Sequence, residues 1–220
     1  MITMVDAFRL PWRRAYAPSV HSRGSEVLPL GRSEATGRAS TASLIIHEAI
    51  LVLAGSALIA ASAWIAVPLP FSPVPVTAQT FAVLLVGSVL GARRGAAAAL
   101  AYLGEGALGL PVFAGGSGGA HVLAGPTGGY LAGFVAGAWL CGLLAGRGWD
   151  RRVVTTVLSM ALGNLAILAP GLLWLSRFVG SGRVLALGLA PFLPGDAVKI
   201  ATAAVMLPLG WKLIARLRAR

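Results

Sequence analysis

Two ionisable residues three apart, Asp196 and Lys199 in PFLPGDAVK, stand inside an apolar stretch near its start. Charges within such a stretch are costly, so they need a partner or a task. On a helix beginning at Pro194 they share one face, and Asp196 falls in the first turn, where the helix dipole favours a carboxylate. Two readings are open. The pair caps a helix with mutually neutralised charges, or it faces a ligand, Lys199 holding a carboxylate and Asp196 accepting N–H donors. Placement near the outer end of its span favours the ligand.

Other polar groups are sparser. Glu105, in AYLGEGALGLPVF, needs water, a neighbouring helix or a ligand, and Tyr102 lies on the same helix face, offering a ring and a hydroxyl. Gln79, in PVPVTAQTF, begins an apolar run and offers both donors and an acceptor. Asn164, midway along another apolar run, reads as a contact between helices. His47 and Glu48 are interfacial, His121 has no companion at metal-ligand spacing, and Cys141 is the one cysteine, a small apolar residue rather than a disulfide partner. No GxxxxGK[ST], H-E-x-x-H or G-x-S-x-G pattern occurs. No catalytic constellation is visible, so the chain is not expected to be an enzyme.

These groups must be positioned by membrane-spanning helices. Of the 220 residues, 57% are hydrophobic and 11% charged, with mean hydropathy +0.81, where a soluble domain carries about 25% charge. The net charge of +11 does not signal nucleic acid, because the basic residues sit between apolar runs. Six stretches approach the roughly 20 apolar residues a span requires: Ala49 to Val67, Val76 to Ala92, Gly95 to Leu110, Gly128 to Gly146, Val153 to Leu175, and Pro194 to Trp211. Residues 1–43 read as a basic, disordered cytoplasmic tail ahead of a six-helix domain over 44–220. Placing both termini in the cytoplasm puts Arg93, Arg94, Arg147, Arg151, Arg152 and the basic C-terminus inside, leaving Arg177 and Arg183 outside. The positive-inside rule requires that orientation. The outer connections, Pro68–Pro75, Pro111–Gly128 and Ser176–Pro191, are then the longer ones, and structured outer loops forming a ligand pocket are expected. In the glycine-rich PVFAGGSGGAHVLAGPTGGY, residues such as Gly115 and Gly116 permit turns closed to other residues.

Small residues recur at intervals of four: Gly129, Gly133 and Gly137; Ala138, Gly142 and Gly146; Gly87 and Gly91; Ala57 and Ala61. Such ridges let helices approach closely in lipid. Packing within the chain is the simpler reading, and a docking face for a partner is the alternative.

Four blocks, PVPVTAQTFAVLLVG, YLGEGALGLPVFAGGSGG, LAGPTGGYLAGFVAG and FLPGDAVK, occur in an order and spacing that closely resemble the BioY proteins, the biotin-binding S-components of energy-coupling factor transporters. The resemblance spans Pro73 to Trp211. It implies a six-helix bundle of the cell membrane that binds biotin near its outer face, with no cofactor. It also implies partnership with a transmembrane T-component and two ATPase subunits, although some members of the family are thought to act without that module. By the same resemblance Asp196 and Lys199 are polar ligand residues, with Asp196 and Gln79 toward the ureido ring and Lys199 toward the carboxylate. Tyr102, Gly115, Gly116 and Tyr130 fall in the blocks that wall the pocket, and Ala57 and Ala61 in the docking surface for the T-component. A carrier for another small anion, or a membrane enzyme built on Asp196, Glu105 and Lys199, are the competing readings.

Overall fold

The structure, a computed structural model, describes residues 41–219. The tail expected over 1–43 therefore lies, up to residue 40, outside the described residues. Eight α-helices occur among them: α1 (Thr41–Ala63), α2 (Gln79–Leu90), α3 (Ala92–Ala107), α4 (Ala120–Ala124), α5 (Gly128–Gly146), α6 (Val153–Val179), α7 (Val184–Gly188) and α8 (Leu193–Arg218). A short hairpin, β1 (Ala66–Val67) and β2 (Val76–Thr77), pairs antiparallel with Ala66 opposite Thr77.

Several expected boundaries are corrected: α3 runs Ala92–Ala107 rather than Gly95–Leu110, α6 continues past Leu175 to Val179, and α8 runs on past Trp211 to Arg218. The first helix begins at Thr41 rather than Ala49, and Glu48 within it pairs with Arg94 of α3, with Arg94 Nε at 2.5 Å and Nη2 at 2.7 Å from its carboxylate oxygens. That helix also stops at Ala63, and the expected continuation to Val67 turns instead into β1. The second helix starts at Gln79 rather than Val76, since Val76 and Thr77 are engaged in β2. Pro73 and Pro75 just ahead cannot donate backbone hydrogen bonds, which suits them to the turn that joins the two strands.

By length and composition four helices, α1, α5, α6 and α8, can cross a membrane. The other two stretches read as spans are shorter, 12 residues in α2 and 16 in α3. They follow one another across Gly91, whose φ of 86° makes the corner. Among the described residues thirty large apolar side chains are exposed, including Leu44, Ile45, Ile50 and Leu53 on α1. In water that would be unstable; against hydrocarbon it is ordinary.

Helix α5 is the centre of the bundle, packing against α6, α2 and α3. Its small-residue ridges serve internal packing. A methyl group added at Gly133 would lie 2.7 Å from the Ile167 carbonyl of α6, and one at Gly142 would lie 2.3 Å from the backbone nitrogen of Ala92 at the α2–α3 corner. From the facing side, a methyl at Gly87 would sit 2.2 Å from the Ala138 carbonyl oxygen. Ala57 and Ala61, by contrast, are exposed on α1. The core between these helices contains Val83, Tyr102, Phe134, Cys141, Met160 and Ile167, all buried.

Candidate ligand-binding site

The three longer connections converge at one end of the bundle around a cavity of about 230 Å³. Val74 and Pro75 enter from the hairpin connection, Phe113, Ala114 and Ser117 from the glycine-rich connection, and Phe192 from the segment before α8. Helices contribute Gln79 and Thr80 from α2 and Tyr130, Leu131 and Phe134 from α5. The result is an apolar, aromatic chamber with a few polar groups on its wall, the composition typical of small-molecule sites.

The glycine-rich segment is ordered over this chamber. Phe113 and Ser117 form a β-bridge around a tight turn in which Gly115 and Gly116 hold φ of 70° and 71°. A residue with a Cβ is strained in that region. Gly115 and Gly116 do not themselves line the cavity; they shape the turn whose neighbours Ala114 and Ser117 do. The turn also seats Phe113, buried to 2% exposure, edge-on against Tyr102 with ring centroids 5.4 Å apart.

Gln79 lines the chamber and donates from Nε2 to the Tyr102 hydroxyl at 2.5 Å. Tyr102, fully buried, stands behind the wall rather than in it: it stacks on Phe134 and orients the amide. The amide of Gln79 keeps further donor and acceptor positions for a ligand. Tyr130 lines the chamber directly, stacks on Phe192 and donates its hydroxyl to the Gly188 carbonyl at 2.9 Å, tying α5 to α7.

Asp196 and Lys199 lie outside the chamber wall. They line a separate void of about 10 Å³ with Asn164 and Thr80. There Lys199 Nζ donates to Asp196 Oδ1 at 3.1 Å and to Thr80 Oγ1 at 2.8 Å, while Asn164 Nδ2 donates to Asp196 Oδ2 at 2.7 Å. Thr80 borders both spaces, so the ion pair is separated from the chamber by one side chain. Asn164 makes the interhelical contact expected of it, joining α6 to α8, and its Oδ1 has no hydrogen-bond partner. Both readings of the charged pair therefore have a physical basis: it is an internally neutralised network, and it sits beside the chamber.

Glu105 accepts a hydrogen bond from Ser56 Oγ at 2.8 Å and is not among the cavity-lining residues, which is the helix-to-helix contact of the two alternatives. Among the described residues no group of histidines, cysteines and carboxylates could hold a metal ion. Sequence reasoning missed Thr80, Phe113, Phe134 and Phe192. Phe134 was within reach, one helical turn after Tyr130 on α5. Phe113 and Phe192 sit in connections whose course no periodicity reveals.

A family profile described as BioY matches residues 34–216. A protein of Pyrococcus horikoshii named "Probable biotin transporter BioY" is 47% identical over 135 residues, covering 61% of this chain and 78% of that protein. The Thermotoga maritima "Biotin transporter BioY" is 42% identical over 160 residues, covering 71% and 92%. A crystal structure described as the S-component for biotin from an ECF-type ABC transporter superposes with a TM-score of 0.67 at 26% identity, covering 83% of this chain and 96% of that one. With most of its length matched by that profile, this chain belongs to the BioY family.

Proposed function

We propose that the chain binds biotin and serves as the substrate-specific subunit of an energy-coupling factor transporter. The observation that carries this is the chamber itself: aromatic and aliphatic walls fit an apolar thioether ring and chain, and Gln79 offers an amide to a ureido ring. Behind Thr80, Lys199 supplies the cation that a carboxylate requires and Asp196 an acceptor for ureido N–H groups. In this reading a bound biotin draws the Thr80 hydroxyl away from Lys199 and takes its place. The protein returns its ligand unchanged and works without a cofactor.

The same reading gives six membrane-crossing helices, with α2 and α3 crossing as short spans, in the cell membrane. Both termini face the cytoplasm, because Arg93, Arg94, Arg147, Arg151 and Arg152 gather at the end of the bundle opposite the chamber. A T-component carrying two ATPase subunits docks on the face of α1 that presents Ala57 and Ala61, both exposed.

Isothermal titration of the detergent-purified chain with biotin and with lipoate tests the ligand. Biotin should bind well below micromolar concentration and lipoate far more weakly. Absence of submicromolar biotin binding would overturn the assignment, and preference for lipoate would point to a carrier of another small anion.

A further inference from the structure

The end of the bundle opposite the chamber carries a second large concavity, about 600 Å³, which the biotin reading leaves without a role. Its walls are Glu48 of α1, Leu90 to Arg94 at the α2–α3 corner, and Trp139, Gly142, Leu143 and Gly146 of α5. Trp139, Leu143 and Gly146 follow one another at helical spacing, so the groove runs along α5 for about 10 Å at 1.5 Å per residue. Its direction is thus that of a membrane-crossing helix, from the end of the span inward. The floor is flattened by glycine, where α5 lies directly on the backbone of Gly91 and Ala92.

Charge and apolarity are separated along this groove. Glu48 is neutralised by its two-point contact with Arg94. Arg93 is exposed and makes no hydrogen bond or ion pair among the described residues, and the exposed Arg147 follows directly on Gly146. Deeper along α5, Trp139 is 49% exposed and its indole N–H is likewise unpaired among those residues. Arginines at the bundle end and a tryptophan about two turns further in put cationic charge at the level of the headgroup phosphate and an exposed apolar face at the level of the acyl chains. A guanidinium suits a phosphate through paired N–H donors.

We propose that this groove binds one anionic phospholipid, with its phosphate on Arg93 and an acyl chain running inward along Leu143 to Trp139. Net positive charge selects an anionic over a zwitterionic headgroup, and the apolar inner half selects a lipid over a free phosphate. The proposal rests on the membrane-spanning reading of α5 and not on the identity of the transported ligand.

Native mass spectrometry of the delipidated, detergent-purified chain tests it, with phosphatidylglycerol, phosphatidylcholine or inorganic phosphate added back. One phosphatidylglycerol should be retained, phosphatidylcholine should bind about tenfold more weakly, and inorganic phosphate should not be held. Arg93→Gln should weaken phosphatidylglycerol about tenfold, and Trp139→Ala, which removes the face the acyl chain lies on, should weaken both lipids. Equal retention of the two lipids, unchanged binding by Arg93→Gln, or tight binding of inorganic phosphate would each overturn the proposal. So would crosslinking of Trp139→Cys to a co-purified protein subunit in place of lipid. Biotin titration of Arg93→Gln separates the two readings: lipid retention decides this site whether or not biotin binds.

Discussion

Replacing Lys199 by Met tests whether the polar network behind Thr80 is structural, ligand-reading or both. The substitution keeps the length of the side chain and removes the charge. It leaves the Asp196 carboxylate, 6% exposed, with Asn164 Nδ2 as its remaining side-chain donor and its negative charge uncompensated. Removing one member of a buried pair typically costs 3–5 kcal/mol. Because the Lys199 side chain is itself 18% exposed, the low end applies, about 3 kcal/mol. For a domain of this size that corresponds to a fall in Tm of roughly 6–12 °C. The double variant Lys199→Met/Asp196→Asn removes both charges and keeps an acceptor for Asn164, so it should regain most of that loss. Thermal unfolding in one detergent reads the stability arm, and titration with biotin reads the binding arm. The double variant should be stable yet bind biotin at least tenfold more weakly, the loss expected for one charge-assisted hydrogen bond. A single variant no less stable than the double would refute the argument that the pair is mutually compensating. A stable double variant with full biotin affinity would show that the network only holds helices together.

Gly87→Ala should destabilise by about 1–3 kcal/mol, because its methyl group would meet the Ala138 carbonyl. Gly104→Ala, where nothing lies within 4 Å, should stabilise slightly; equal effects at the two sites would refute the close-packing account, with thermal midpoints as the measurement. Ala57→Trp or Ala61→Trp on the exposed face of α1 should abolish co-purification with a T-component while leaving biotin titration unchanged; assembly that survives both places docking elsewhere. Asp150, in the α5–α6 connection, gives a pH dependence of defined sign. Burial raises its carboxyl above the usual range, against the Trp211 indole donor and the Arg151 charge. The folded state therefore holds the proton more tightly than the unfolded chain, a contribution present below the ordinary carboxyl pKa and lost as pH rises through the raised one. Asp150→Asn lacks that loss, so its stability relative to wild type should increase with pH across the acid range. A difference that is flat or falls with pH would contradict this.

Much of the design was legible in the residues. Long apolar runs broken by arginine read as spans because water excludes such segments, whatever their partners. The PGDAVK stretch read as a charged pair on one helix face because a spacing of three settles that locally, and the structure has Lys199 Nζ 3.1 Å from Asp196 Oδ1. The glycine ridges read as close contacts because only a missing Cβ permits them, and Gly133 and Gly142 serve that purpose on different sides of α5.

What tertiary structure alone decided was which groups share a space. Helical spacing relates residues on one element, whereas a cavity is bounded by elements whose separation in sequence carries no periodic signal. Thus Phe113 and Phe192 became walls only when two connections folded over the bundle end. Tyr102 proved to stand behind Gln79 rather than beside it, a distinction set by how α2 meets α3. Asp196 and Lys199 turned out to lie one threonine away from the chamber, because Thr80 on α2 reaches across to α8. Likewise Glu48 on the first helix found its partner, Arg94, on another helix. Sequence determines which residues tolerate lipid, turn or pair locally; the packing of α5 against its neighbours determines which of them a ligand can touch.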